Sequence, residues 1–154
     1  MSIIELKERE DISENVKISR IYIQLQEFLS ELRKKKLPHK IIELVNQDIE
    51  DLNSTSLICN ELSKLVKQKQ EKIIKLLEKE RKIVPKDYYQ NLWLVLGMCT
   101  FGVPLGVVFG TSLGNMGLLG IGLPIGLVIG IALGSRMDKK AFEEGRQLDI
   151  KIKY

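Results

Sequence analysis

Gly102-Val-Pro-Leu-Gly-Val-Val-Phe-Gly-Thr-Ser-Leu-Gly114 and Gly122-Leu-Pro-Ile-Gly-Leu-Val-Ile-Gly-Ile-Ala-Leu-Gly134 are two copies of one pattern, identical at seven of thirteen positions, with four glycines and a proline in register. They lie in an uncharged run from Tyr88 to Ser135, and eleven of the chain's twelve glycines fall between Leu92 and Gly134. In water this run would expose too much apolar surface and too few good helix formers to hold a fold, so it reads as membrane-embedded. At a rise of about 1.5 Å per residue, about 20 apolar residues cross a hydrocarbon core of about 30 Å, which leaves room for two crossings. We expect them at Leu92–Leu113 and Leu118–Leu133, joined through Gly114-Asn115-Met116-Gly117, a turn cluster short enough only for a tight hairpin.

Residues four apart are neighbours on a helix surface, so Gly102, Gly106, Gly110 and Gly114 form one stripe without side chains. Gly122, Gly126, Gly130 and Gly134 form another. Close backbone approach then supplies the dispersion contacts that stand in for a hydrophobic drive in lipid. Two arrangements satisfy this: a hairpin packed against itself, or an oligomeric channel whose subunits also meet along a second face. Pro104 and Pro124 each remove a backbone donor, and are expected as fixed bends or as gating hinges.

The flanks set an orientation. Lys79, Arg81, Lys82 and Lys86 precede the first leg, Arg136, Lys139 and Lys140 follow the second, and the turn is uncharged. The positive-inside bias puts both termini in the cytoplasm, with Tyr88, Tyr89 and Trp93 as an aromatic belt. The first residues become charged soon after Met1, so no cleavable secretory signal is expected. Mean hydropathy is near zero only because two unlike regions are averaged: residues 1–87 carry 34 charged side chains and the hairpin none.

The fold class is all-α, in three segments: a cytosolic, coiled-coil-like regulatory domain over 1–87, a transmembrane hairpin over 88–135, and a cytosolic tail over 136–154. Helical periodicity runs from about Glu5 to Lys36, with Ile18, Ile21, Leu25, Phe28 and Leu32 alternating spacings of three and four. Leu37-Pro38 ends it, and Pro38 suits the first position of the next helix. Ile42, Val45, Ile49 and Leu52 continue the alternation, Asn53-Ser54-Thr55-Ser56 weakens it, and Leu62, Val66, Ile73 and Leu77 resume it. Residues 38–84 are therefore either one long helix or two. In the tail, a short helix is expected through Glu144, broken at Gly145; Leu148, Ile150, Ile152 and Tyr154 then have the period of a strand, which must dock on the helices, pair between subunits or fray, fraying being the default for a terminus.

Charge is segregated. Residues 1–63 hold 9 basic and 12 acidic side chains, whereas residues 64–86 hold 9 basic and 3 acidic. Lys72, Lys75, Lys79, Lys82 and Lys86 form a stripe, with Lys64 and Lys67 upstream, and a second basic cluster surrounds Arg33-Lys34-Lys35-Lys36. Such a stripe is explained by anionic lipid headgroups, by a solvated helix flank, or by an anionic ligand such as an oligonucleotide. Tyr22 and Phe28 are the only aromatic candidates for base stacking before the belt, so base-specific recognition has little support.

Catalytic signatures are missing from the sequence. The glycine motifs have neither a preceding strand nor a following Gly-Lys-Ser/Thr, and no nucleophile elbow or His-Glu helix motif occurs. Cys59 and Cys99 fall in separate compartments and His39 has no partner at ligand spacing, so neither a disulfide, a metal site nor a cofactor is expected. The chain does not read as an enzyme.

The two glycine series, the Gly114-Asn115-Met116-Gly117 turn, and the exit Met137-Asp138-Lys139-Lys140 with Glu144-Gly145-Arg146 resemble small bacterial glycine-zipper membrane proteins. The layout of a helical cytosolic domain on a short hairpin also resembles membrane effectors of bacterial anti-phage defence, in size most of all the channel effector of the Hailong type. That resemblance implies a tetramer in the bacterial inner membrane, held shut by a single-stranded deoxyadenylate ligand, which charge would place among Lys64 to Lys86. The expected function is a homo-oligomeric channel gated by its cytosolic domain, with Thr100, Thr111, Ser112 and Asn115 as pore-lining candidates and little ion selectivity. The alternative is a non-conducting membrane-anchored coiled-coil scaffold.

Overall fold

The computed structural model describes residues 2–7, 9, 16–115, 117 and 119–152, with the backbone alone for Cys59 and Leu119. The chain divides into two compact units, residues 1–85 with 148–154, and residues 86–147. The expected separate tail is thus split between them.

In the first unit, α1 spans Val16–Arg33, α2 His39–Ser54 and α3 Cys59–Arg81. Residues 38–84 therefore form two helices. The break follows from poor helix formers: Thr55 is extended (φ −72°, ψ 139°) and α3 restarts after Ile58. Pro38 stands one residue earlier than anticipated, at the N-cap, where its carbonyl accepts the N–H groups of Ile41 (3.0 Å) and Ile42 (3.2 Å). The core is built from the anticipated three-four series. Ile18, Ile21, Leu25, Phe28 and Leu32 of α1 are buried, as are Leu62, Val66, Ile73 and Leu77 of α3. In α2 the buried face begins at Ile41 rather than at half-buried Ile42. Gln70 fills the position that leaves a gap in the apolar series of α3, its Oε1 accepting from Gln24 Nε2 at 3.3 Å.

Two segments differ from expectation. Helical structure does not begin near Glu5; Ser2–Lys7 is non-helical, with Ile3 and Leu6 buried and its backbone bonded to Asn46 and Asn53. At the other end no strand forms among the described residues, and Leu148, Ile150 and Ile152 do not fray. They are buried, and the Leu148 N–H donates to the Val84 carbonyl (2.9 Å), because burying three alternate apolar side chains outweighs the entropy of one short segment. Tyr154 lies outside the described residues.

The second unit consists of two helices long and apolar enough to cross a membrane. The first runs continuously over Tyr88–Ser112 as α4 (Tyr88–Gly97), a π-helical turn (Met98–Gly102) and α5 (Val103–Ser112). The second, α6, is Leu119–Glu143, one helix that carries through Arg136–Lys140 where a leg and a separate short helix were expected. Gly145, at φ +67°, ends it: its N–H bonds the Phe142 carbonyl (2.9 Å) and that of Arg146 the Ala141 carbonyl (2.8 Å).

Candidate functional site

The distinguishing feature of the second unit is contact between backbones. A Cβ on Gly126 would lie 2.5 Å from both the Gly97 carbonyl oxygen and the Gly102 nitrogen, nearer than real Cβ atoms come. One on Gly122 would stand 2.6 Å from the Gly106 Cα, one on Gly130 would be 2.9 Å from the Trp93 carbonyl carbon, and one on Gly134 2.6 Å from the Tyr89 oxygen. Every obstructing atom is main chain, so no rotamer change could relieve a substituent. Gly102 is looser, at 3.2 Å from the Gly122 oxygen, and Gly106 and Gly110 are buried. Gly114 does not pack: it adopts φ +64° with nothing within 4 Å, serving the turn.

Gly97, which stands outside the spacing of four, belongs to the same contact face; its Cβ would sit 2.8 Å from the Gly130 Cα. It precedes Gly102 by five residues, which in a regular α-helix would turn it away. The π turn over Met98–Gly102 restores the alignment: the Val103 N–H bonds the Met98 carbonyl five residues back, so one extra residue is absorbed. Pro104 is the second residue of the α-helix that follows, where its missing N–H leaves the Thr100 carbonyl without its usual donor. Pro124 lies in the second turn of α6, which continues through it. The prolines thus flank matched packing levels but sit differently: only the first adjoins a non-α turn.

At the end of the hairpin away from the turn, the glycine face of α6 continues into Asp138, four residues after Gly134, and Ala141. Asp138 is buried, and its two carboxylate oxygens accept the N–H groups of Tyr89 (3.1 Å) and Gln90 (2.9 Å). These are donors of the first turn of α4, for which the helix itself has no carbonyl to offer, and its own N-cap residue Asp87 is left-handed and makes no side-chain cap. One helix therefore caps the other. Trp93 Nε1 lies 3.0 Å from Met137 Sδ beside it. Nothing in the sequence marked Asp138 as a cap, since it serves a helix 49 residues away from it.

Of the pore-lining candidates, Thr100, Thr111, Ser112 and Asn115 are all exposed in the single chain. The Thr100 hydroxyl donates to the Leu96 carbonyl (2.6 Å) and that of Thr111 to Val107 (2.9 Å), while Asn115 Oδ1 accepts the Gly117 N–H (2.9 Å) in the turn.

The basic residues are divided by their partners. Lys72 and Lys69 both bond buried Asp48 at 2.8 Å, and Lys69 also pairs with Asp51. Lys75 pairs with Glu71 (2.7 Å) and Lys82 with Glu78 (3.3 Å). Lys82 is also the left-handed C-cap of α3 (φ 55°), with Ile83 N–H returning to Leu77. Among the described residues Lys64, Lys67 and Lys79 make no ion pair; Lys86 is exposed and Lys67 half-buried. Tyr22 and Phe28 are both core residues, which removes them as stacking platforms. No group of three or more metal-ligating side chains occurs among the described residues.

The geometry defines a class: an all-helical chain with a charged three-helix unit and a glycine-packed pair of membrane-length helices. Comparison with family models, with curated proteins and with solved structures finds no match to this chain.

Proposed function

We propose that the chain is a membrane protein whose glycine-zipped hairpin assembles with copies of itself into a conducting pore, gated by the helical unit on the cytoplasmic side. The observation that carries this reading is a chemical asymmetry between two legs of near-identical packing pattern. Between Leu92 and Gly134, outside the turn, every hydroxyl lies on the first leg, at Thr100, Thr111 and Ser112, whereas the second is wholly apolar. All three are exposed, on the same leg as the π turn and Pro104. A leg with hydroxyls suits a wet bore and a leg without them suits lipid, so the first lines the pore and the second faces outward. Both termini are cytoplasmic, and the setting that fits the resemblance is bacterial defence against phage, in which opening depolarises the infected cell. An anionic nucleotide or oligodeoxyadenylate controlling the gate would be held through its phosphates by Lys64, Lys67, Lys79 and Lys86, since stacking surfaces are absent from the described part of the helical unit.

Purified oligomer in vesicles loaded with a potassium-sensitive dye tests this. Flux that drops when Thr100 and Thr111 are replaced by valine, but not when Val128 is replaced by threonine, is the expected result. Oligomer of four or more chains that never passes ions in any ligand state defeats the channel. The competing scaffold reading is favoured by one observation: Gly97, Gly102 and Gly106 of the first leg and Gly122, Gly126, Gly130 and Gly134 of the second are already used against each other within a single chain. A dimeric mass in detergent, with four membrane helices and too little circumference for a bore, would select it.

A further inference from the structure

Two asparagines of α2 hold the N-terminal segment by its backbone in the same way twice. Ile4 donates its N–H to Asn46 Oδ1 (3.0 Å) while Asn46 Nδ2 donates to the Ser2 carbonyl (3.1 Å). Three residues on, Lys7 donates its N–H to Asn53 Oδ1 (2.9 Å) and Asn53 Nδ2 donates to the Glu5 carbonyl (3.0 Å). A primary amide offers an acceptor beside a donor, and so can bond the C=O of one residue and the N–H two residues later, groups that share a side of an extended chain. The spacing is matched as well. Seven residues of helix are two turns and advance about 10.5 Å along one face, and three residues of a chain with three residues per turn, as in polyproline II, advance about 9 Å and present the same side again. The residue between each bonded pair, Ile3 and then Leu6, is buried.

From α1, Arg33 Nη2 donates to the Ile4 carbonyl (2.9 Å) and the Tyr22 hydroxyl to the Lys7 carbonyl (2.5 Å). Among the described residues, the polar contacts of Ser2–Lys7 are thus almost all to main chain, the exception being an ion pair from Arg33 to exposed Glu5 (3.3 Å). Side-chain identity enters chiefly through two apolar positions three apart. Beside the segment, among the described residues, a cavity of about 460 Å³ open to solvent is bordered by Glu5, Leu6 and Lys7 on one side and by Gln26, Leu29 and Arg33 on the other.

We propose that the groove between α1 and α2 is a binding site for an extended peptide of a partner protein, and that residues 2–7 occupy it as an internal stand-in. The partner presents two apolar residues three apart and a side chain that fills the cavity. Backbone hydrogen bonds to helix side chains supply affinity and the two apolar positions, three apart, supply selectivity. The partner's side chain in the cavity gives it contacts that the internal segment lacks, which is how it displaces a competitor tethered to the same chain. The site is independent of whether the hairpin conducts.

Hydrogen exchange on the full-length chain in detergent micelles tests the groove, with a capped synthetic peptide of the sequence Ser2–Lys7 as probe. The Ile4 and Lys7 amides should be protected in the chain alone. Excess peptide should speed their exchange roughly fivefold or more, by holding the groove while the internal segment is out. Combining Asn46→Ala with Asn53→Ala should remove that protection and leave the peptide without further effect, while the α3 amides stay protected and show that the unit is folded. Unchanged exchange at Ile4 and Lys7 under saturating peptide overturns the proposal. So does cross-linking of residue 5 to α1 of another copy, which would make the occupant a second chain.

Discussion

The two units bury opposite things. In the helical unit Leu25, Phe28, Leu32, Val45 and Ile49 are fully buried and lysines cover the outside. In the hairpin the buried face is made mostly of glycine, at Gly97, Gly102, Gly106, Gly110, Gly122, Gly126, Gly130 and Gly134, and continues into Tyr89, Asp138 and Ala141 at one end, while Val95, Val108, Leu123 and Val128 stand exposed. The first pattern is what water imposes, through the apolar area it expels; the second suits a solvent as apolar as leucine, where only close packing distinguishes inside from outside. The lesson is that glycine acts as a core residue wherever the contact is between backbones.

This contrast breaks most readily in the core of the helical unit. Phe28→Ala should cost about 4 kcal/mol, from lost burial and the cavity left behind. Hydrogen exchange should show the loss in α1 and α3, with the hairpin amides unaffected. In the hairpin the inverse change, adding atoms, is the damaging one: Gly126→Ala should cost about 3 kcal/mol, because the obstructing atoms are backbone and cannot rotate away. Its control, Leu123→Ala on the exposed face, should change stability by less than about 0.5 kcal/mol in micelles. Trp93, the chain's single tryptophan, reports both through its fluorescence during SDS-induced unfolding. Equal effects at Gly126 and Leu123 would refute backbone packing.

Asp138→Ala should weaken the hairpin by about 2 kcal/mol, since it strands the Tyr89 and Gln90 donors; the same fluorescence titration reads it. Lys82→Gly should have the opposite sign, stabilising the helical unit by up to about 1 kcal/mol by removing a left-handed side-chain conformation, visible as a raised Tm. Smallest is a pH effect at the α2–α3 ion pairs. The hydrogen bond from Lys69, and then its charge, hold the Asp51 carboxyl below its ordinary value of 3.8. Its contribution is therefore present above pH 3.8 and lost as pH falls through the lowered value. For Lys69, burial works against the charge, but bonds to Asp48 and Asp51 outweigh it and raise the group above 10.5, so that contribution persists below pH 10.5 and fades above its raised value. The difference in urea midpoint between wild type and Asp51→Asn should close as pH drops below 3.8.

Much of this was legible because it depends on periodicity. Ile18, Leu25, Phe28 and Leu32 share a helix face whatever surrounds them, and Gly122, Gly126, Gly130 and Gly134 share one equally. Gly97 was hidden by its five-residue spacing, which makes sense only once a π turn shifts the register. The lysine stripe was visible as charge, yet its division into Lys72, Lys75 and Lys82, with carboxylate partners, and Lys64, Lys67 and Lys79, without them among the described residues, depends on what each faces.

By itself, then, the sequence determined the all-helical class, the two membrane-length helices and the faces by which the helices pack, because these follow from local spacing of apolar and small residues along one chain. Only the tertiary structure decided that Asp138 caps α4, that Asn46 and Asn53 grip Ser2–Lys7, and that Leu148–Ile152 docks instead of fraying. Each of these joins groups about 40 to 65 residues apart, and a hydrogen bond across that separation depends on where two elements meet, which spacing along either one does not encode.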